Sequence, residues 1–147
     1  MEVLAGDAHG LVADSLSEVP ADIIVASCGF DTIPVGWVRR LKDGGRLLIP
    51  LTGASGQESI GSGAMLLVRR RGAAFDANFV SRVFIYNDRA GRSDAATARL
   101  AAVLPAGGYS PNWAPPAIAS LRLDTPPDDS CWLAGDGWWL STAPEPA

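Results

Sequence analysis

The sequence has no run of about 18 or more apolar residues, and no basic amino-terminal segment leads into an apolar one. The first absence argues against a transmembrane helix, and the second argues against a signal peptide. Long basic runs are also missing and the net charge is −4, so nucleic acid is not expected as a partner. We therefore expect a cytoplasmic protein that does not contact a membrane.

Cysteine and histidine are scarce as well. The two cysteines, Cys28 and Cys131, lie far apart in the sequence, and a pair of free thiols is favoured over a disulfide. No histidine is placed by sequence to activate Cys28, so we do not expect that thiol to be a nucleophile. The single histidine, His9, follows a Gly-Asp turn and is typical of a surface residue. No metal site is predicted.

Apolar residues are plentiful, at 48% of the 147 residues, which suits one domain with a packed core. The centre of the chain reads as strand, helix and strand, over residues 23–26, 34–42 and 46–51. Both strands are short apolar runs, as expected of strands that are buried on both faces. Two such strands joined by a helix predict a right-handed βαβ unit in a parallel sheet.

The remaining elements are weaker signals. A first strand is expected before this unit, and a glycine- and serine-rich loop after it. Alternating residues around Gly72 predict an antiparallel hairpin at a sheet edge, and Ser93 is placed to cap a helix. The predicted ranges are strand 1–5, loop 52–63, strands 64–71 and 77–86, helix 93–104, strand 118–123, hairpin 130–141 and a disordered tail at 144–147.

Several separate motifs occur in a fixed order along the first 90 residues. They are Gly6-Asp7-Ala8, Asp22-Ile23-Ile24-Val25, Ile33-Pro34, Leu41-Lys42-Asp43-Gly44-Gly45-Arg46-Leu47-Leu48-Ile49-Pro50, and Gly56-Gln57. Their order and spacing resemble the carboxyl-terminal half of protein-L-isoaspartate O-methyltransferase. Residues 91–147 are outside the resemblance.

The resemblance implies an α/β, Rossmann-like methyltransferase fold that is incomplete at its amino terminus. Residues 1–90 would form the carboxyl-terminal half of that domain, and residues 91–147 a helix plus β-hairpin extension with a disordered tail. The implied reaction is methyl transfer from S-adenosylmethionine to a protein or peptide carboxylate. A carboxylate is already ionised near neutral pH, so positioning matters more than a strong base, and no catalytic residue is assigned.

The family's glycine-rich cofactor loop is not found in this sequence. We therefore expect a fragment that alone is inactive and binds S-adenosylmethionine weakly. We also expect sheet faces that a partner chain would cover. The alternative is a non-catalytic remnant or partner subunit that keeps half of the fold. A nicotinamide-dependent enzyme is disfavoured, because its glycine fingerprint is absent.

The resemblance also implies site residues. Asp7 and Ala8 match the motif at the cofactor's adenine edge, and Ser27 and Cys28 end a central strand, where ligands bind in open α/β sheets. Gln57 matches the family's loop, and Tyr86 takes the position of a family valine whose strand contacts the substrate peptide. Structural alternatives exist for Asp7 as a turn aspartate, for Ser27 and Cys28 as small packing residues, and for Gln57 as a loop amide.

The tryptophans of the carboxyl-terminal hairpin, Trp132, Trp138 and Trp139, favour cross-strand or core packing, and a binding platform is the alternative.

Overall fold

The fold was analysed in a computed structural model, which describes residues 5, 19–88, 92–104, 114 and 116–146. The predicted strand at 1–5 and the predicted site residues Asp7 and Ala8 lie outside these ranges, apart from Ala5. Seven strands and two helices occur in the described residues. They are β1 (Ala21–Val25), α1 (Val35–Arg39), β2 (Leu41–Ala54), β3 (Ile60–Arg71), β4 (Ala74–Tyr86), α2 (Asp94–Val103), β5 (Ser120–Leu123), β6 (Cys131–Gly135) and β7 (Trp138–Ser141).

The strands form one mixed sheet in the order β1-β2-β3-β4-β5-β7-β6. The predicted parallel pair is confirmed, because Ile23, Ile24 and Val25 of β1 pair with residues 46–48 of β2 in parallel. Every other neighbouring pair is antiparallel. The expectation of a parallel, Rossmann-like sheet is therefore wrong beyond this first pair, and the described sheet is mostly antiparallel.

The β3–β4 hairpin is present as predicted, and its turn contains Gly72 at a φ of +61°. Its predicted place at a sheet edge is wrong, because β4 continues the sheet by pairing with β5 through Phe75 and Asp76. The sequence does not reveal this pairing, since the two strands are separated by a helix and a proline-rich stretch.

The first helix is shorter than predicted, and β2 begins before it was expected. The Arg40 carbonyl oxygen accepts a hydrogen bond from the Ala21 amide at 2.7 Å, and Leu41 is the register partner of Ala21. The side chain of Arg70 also donates to the Leu41 carbonyl oxygen at 2.7 Å. The backbone at Arg40 and Leu41 is therefore engaged with β1 and with Arg70, and the helix ends at Arg39.

The predicted loop at 52–63 is mostly strand. Strand β2 runs to Ala54 and β3 starts at Ile60, so only residues 55–59 connect them. A side chain at Gly61 would collide with Thr52 and Asn87. Gly61 and Gly63 therefore allow close approach between strands rather than marking a flexible loop.

One face of the sheet carries the core. Alternate residues of β2, including Leu47, Ile49 and Leu51, are fully buried, and the same core cluster includes Trp37 of α1 and Leu100 of α2. Both helices therefore cover this face. The opposite face carries Ile23 and Val25, which are exposed.

The carboxyl-terminal hairpin forms as predicted, and its tryptophans pack. Trp138 and Trp139 are buried, and Trp138 donates its indole N–H to the Thr32 hydroxyl at 3.0 Å. Trp132 makes an edge-to-face contact with Phe79. These contacts confirm the packing interpretation.

The end of the chain lies against the β3–β4 hairpin. The Glu145 carboxylate accepts a hydrogen bond from the Phe75 amide at 3.2 Å, and the Glu145 carbonyl oxygen accepts one from Arg71 at 3.3 Å. Residues 144–146, for which the sequence predicts disorder, are thus tied to the sheet.

In the described ranges, neither helix has the length and apolarity needed to cross a membrane. Those ranges also hold no group of three or more histidine, cysteine, aspartate or glutamate side chains that could bind a metal ion.

Candidate functional site

A cleft of about 410 Å³ opens beside the β2–β3 connection. It combines hydroxyl and amide groups from the connection and β3 with charged and aromatic groups from β4. The lining residues are Ser55, Gln57, Ser62, Gly63, Arg82, Val83 and Phe84. Such a mixture of apolar walls and a few polar groups is typical of small-ligand and peptide sites.

The connection at 55–59 holds Gln57 at the cleft. The Ser55 hydroxyl donates to the Ile60 carbonyl oxygen at 2.6 Å and accepts a hydrogen bond from the Gln57 amide at 3.2 Å. Gly56 and Ser59 both have positive φ values, +83° and +63°. Glycine adopts this conformation without a steric penalty, and the tight turn therefore depends on Gly56.

Strand β4 supplies the opposite wall. Side chains alternate along a strand, so Arg82, Phe84 and Tyr86 share one face. Phe84 and Tyr86 are large side chains with unusually high exposure, 47% and 69% of their surface. Arg82 and Phe84 line the cleft, and Tyr86 continues their row. The structure therefore brings the two predicted substrate residues, Gln57 and Tyr86, to the same region.

The segment after β1 reaches the same region from the other side. Gly29 donates its amide to the Tyr86 carbonyl oxygen at 2.8 Å, and its own carbonyl oxygen accepts from the Asp88 amide at 2.8 Å. Phe30 pairs with Leu51 of β2. Residues 29–30 thus join the end of β4 to β2, and we call this region the closed end of the sheet.

A polar cluster fills the closed end. The Thr52 hydroxyl donates to the Asn87 side-chain oxygen at 2.7 Å. The guanidinium of Arg92 donates to the carbonyl oxygens of Gly29 and Thr52, at 3.1 and 2.7 Å, and contacts the Thr97 hydroxyl at 3.4 Å. Thr52 is fully buried, so these bonds satisfy groups that water does not reach.

Asp31 connects the cluster to α2. Its carboxylate is 4% exposed and accepts hydrogen bonds from the Ser93 amide at 2.7 Å and the Thr97 hydroxyl at 3.2 Å. Ser93 is also the N-cap of α2, as predicted, and its hydroxyl accepts from the Ala96 amide. A carboxylate at this end of a helix is stabilised by the helix dipole.

The predicted cofactor residues Ser27 and Cys28 lie next to this closed end. Ser27 is exposed and Cys28 is half-buried. Burial and, to a smaller extent, the nearby charge of Asp88 raise the pKa of the Cys28 thiol, so the thiol stays protonated near neutral pH. This agrees with the expectation that Cys28 is not a nucleophile. Cys28 and Cys131 are both free thiols.

The closed end does not fit S-adenosylmethionine in the described part of the chain. In open α/β sheets a ligand binds beyond the carboxyl ends of the strands. Here Arg92 bonds to Gly29 and Thr52, and Asn87 bonds to Thr52, so these side chains lie beside the segment that continues from β1. The positive guanidinium of Arg92 would also repel the cofactor's positively charged sulfonium group.

Sequence reasoning missed most of the polar groups. Arg82 and Phe84 could have been found, because they alternate with Tyr86 on a predicted strand. Asp31, Thr52 and Arg92 carried no local signal, since most of the groups that they bind lie 35 or more residues away.

One family model matches the chain. It describes Protein-L-isoaspartate(D-aspartate) O-methyltransferase and covers residues 6–80, about half of the 147 residues. The matched stretch includes the predicted residues Asp7, Ala8, Ser27, Cys28 and Gln57, while Tyr86 and Arg92 lie beyond it. A comparison with curated proteins found no significant match.

Proposed function

The chain belongs to the protein-L-isoaspartate(D-aspartate) O-methyltransferase family, and from that premise we propose that it binds methyl-accepting protein carboxylates in the cleft. The supporting observation is that Gln57, Arg82 and Phe84 line one cavity. The family implies a protein substrate, and a cleft open to solvent beside an exposed strand suits a peptide.

Three of the lining groups have a task in this binding. The guanidinium of Arg82 offers donors that match a carboxylate in charge and geometry. The amide of Gln57 can donate to the neighbouring peptide bond, and the ring of Phe84 can pack on an aliphatic side chain. Tyr86 extends this surface for residues beyond the carboxylate.

The methyl donor of the family is S-adenosylmethionine. Because Arg92 and its partners fill the closed end of the sheet, we propose that this chain binds the acceptor and does not itself hold the donor. Under this proposal the half-buried Cys28 serves as a packing residue, and the exposed Ser27 and the predicted cofactor residues Asp7 and Ala8 would contact the donor only under the second candidate. This corresponds to a partner subunit of a carboxyl methyltransferase, and an active carboxyl O-methyltransferase of the isoaspartyl type is the second candidate.

Isothermal titration with a hexapeptide that contains L-isoaspartate tests the proposal. We expect Arg82→Gln to weaken peptide binding by roughly tenfold, since a hydrogen bond to a charged group is worth about 1.5–3 kcal/mol. Arg99→Gln is the matched control, because Arg99 is an exposed arginine that is not among the residues lining the cleft, and it should bind like the unmodified chain.

Titration with S-adenosylmethionine separates the two candidates. We expect no binding tighter than about 1 mM, which corresponds to about −4 kcal/mol. A dissociation constant near 1 μM, about −8 kcal/mol, would instead support the active methyltransferase. Peptide binding that is absent, or equal for the two arginine variants, would rule out the cleft as the acceptor site.

A further inference from the structure

The sheet has a face that the described helices do not cover. Both helices and the core cluster lie on the face of Leu47, Ile49 and Leu51. On the opposite face, Ile23 and Val25 of β1 are 57% and 62% exposed. Parallel strands normally have both faces covered, so exposed apolar residues on β1 need an explanation.

The exposed residues belong to a continuous apolar strip across three strands. The strand register places Val25 beside Leu48, and Leu48 beside Leu67. Leu48 and Leu67 are half-buried. Neighbouring strands are about 4.8 Å apart, so the strip is about 10 Å wide, which is close to the diameter of one α-helix with its side chains.

Two arginines flank this strip on the same face. Arg46 is the register partner of Ile23 on one side and of Arg69 on the other. Like charges directly opposite each other on neighbouring strands repel. In the part of the chain that the structure describes, neither guanidinium makes a hydrogen bond or a salt bridge. On its other side Arg69 is the register partner of Asp76, a carboxylate that is bound by Arg71 at 2.9 Å.

We propose that this face is the docking surface for an amphipathic α-helix of another polypeptide, with leucine-like residues on one side and carboxylates along its flank. The apolar side would cover Ile23, Val25, Leu48 and Leu67, and the carboxylates would meet Arg46 and Arg69. A second copy of this chain fits less well, since a two-fold face-to-face contact brings the same arginine row from both copies to the interface. The proposal is independent of the cleft.

Fluorescence anisotropy with two synthetic helical peptides tests this surface. Both peptides carry leucine at i, i+3, i+4 and i+7 spacing, and they differ only in whether glutamate or lysine flanks the leucines. We expect the intact chain to bind the glutamate peptide at least tenfold more tightly than the lysine peptide. The double variant Arg46→Glu, Arg69→Glu should reverse this preference, because it reverses the charge beside the strip.

Arg99→Glu provides the control, since Arg99 is exposed on α2 and α2 packs against the other face. It should leave the preference for the glutamate peptide unchanged. Val25→Asp should weaken binding of the glutamate peptide by tenfold or more. Equal affinities for the two peptides would overturn the proposal, and so would a dimer of the chain that Val25→Asp dissociates, because the face would then be occupied by a second copy.

Discussion

Three glycines at the closed end of the sheet have no room for a side chain. A Cβ atom at Gly29 would lie 2.8 Å from the Asn87 side-chain oxygen, and one at Gly61 would lie 2.5 Å from Thr52. At Gly63 it would meet the Leu51 carbonyl oxygen. The close approach of backbone and side chains here is therefore a packing requirement.

Replacing Gly61 with alanine should destabilise the protein by about 1–3 kcal/mol, because the new methyl group would push apart the hydrogen-bonded Thr52 and Asn87 side chains. Gly36→Ala is the matched control. Gly36 is an exposed helical residue with nothing near its potential Cβ, so alanine should stabilise by about 0.5–1 kcal/mol. Urea unfolding measures both changes, and equal effects would contradict this account of the closed end.

The role of some residues can be predicted from the sequence, and the role of others cannot. Ser93 was predicted as a helix cap and Gly72 as a turn residue, because capping and turn formation act over a few neighbouring positions. Asp31 gave no such signal, since the Ser93 amide that it binds is 62 residues away. Residues that are distant in sequence and come into contact only in the folded chain leave no local sequence pattern from which the contact could be predicted.

Helix α2 is attached to the sheet at both its start and its middle. Asp31 accepts hydrogen bonds from Ser93 and Thr97 at the start. Further along, the backbone of Ala101 lies against Gly53 of β2, where a side chain would come within 3.4 Å of it. The position of α2 therefore depends on a carboxylate and a glycine that belong to other elements.

Removing the carboxylate with Asp31→Ala should destabilise the protein by about 1.5–3 kcal/mol, because two donors near the start of α2 lose a charged acceptor. Asp22→Ala is the comparison variant. Asp22 forms a salt bridge with Lys42 at 2.8 Å, but its side chain is 78% exposed, so its loss should cost about 0–1 kcal/mol. Thermal unfolding monitored by circular dichroism measures the stability of both variants. Similar losses of stability for the two variants would show that Asp31 has only a surface role.

At the scale of elements, the βαβ unit, the β3–β4 hairpin, α2 and the terminal hairpin were predictable. The hydrophobic periodicity and the turn residues that indicate these elements lie within short stretches of the sequence. The sheet order was not, because the pairing of β4 with β5 joins Phe75 to Leu121 across a helix and a proline-rich stretch. The early start of β2 was missed for a related reason, since pairing with Ala21 overrides the helical pattern at Leu41.

At the scale of the whole molecule, the described strands form one sheet that crosses the expected boundary near residue 90. Strand β4 belongs to the predicted methyltransferase-like half and β5 to the predicted extension, and they are direct neighbours. The core cluster also includes residues from both parts, such as Leu66 and Leu140. The division into residues 1–90 and 91–147 remains a prediction, and cooperative unfolding is the property that tests it.

We expect the chain to unfold in a single cooperative transition, because the two parts share a sheet and a core. In the variant Trp37→Phe, every remaining tryptophan belongs to residues 91–147, so its tryptophan fluorescence originates in the extension. Far-ultraviolet circular dichroism of the same variant reports mostly on β2, β3 and β4, the longest strands. Urea midpoints from the two signals should coincide. An extension that loses its fluorescence signal at clearly lower urea would instead establish two separately folding units, because the β4–β5 pairing would then be too weak to couple them.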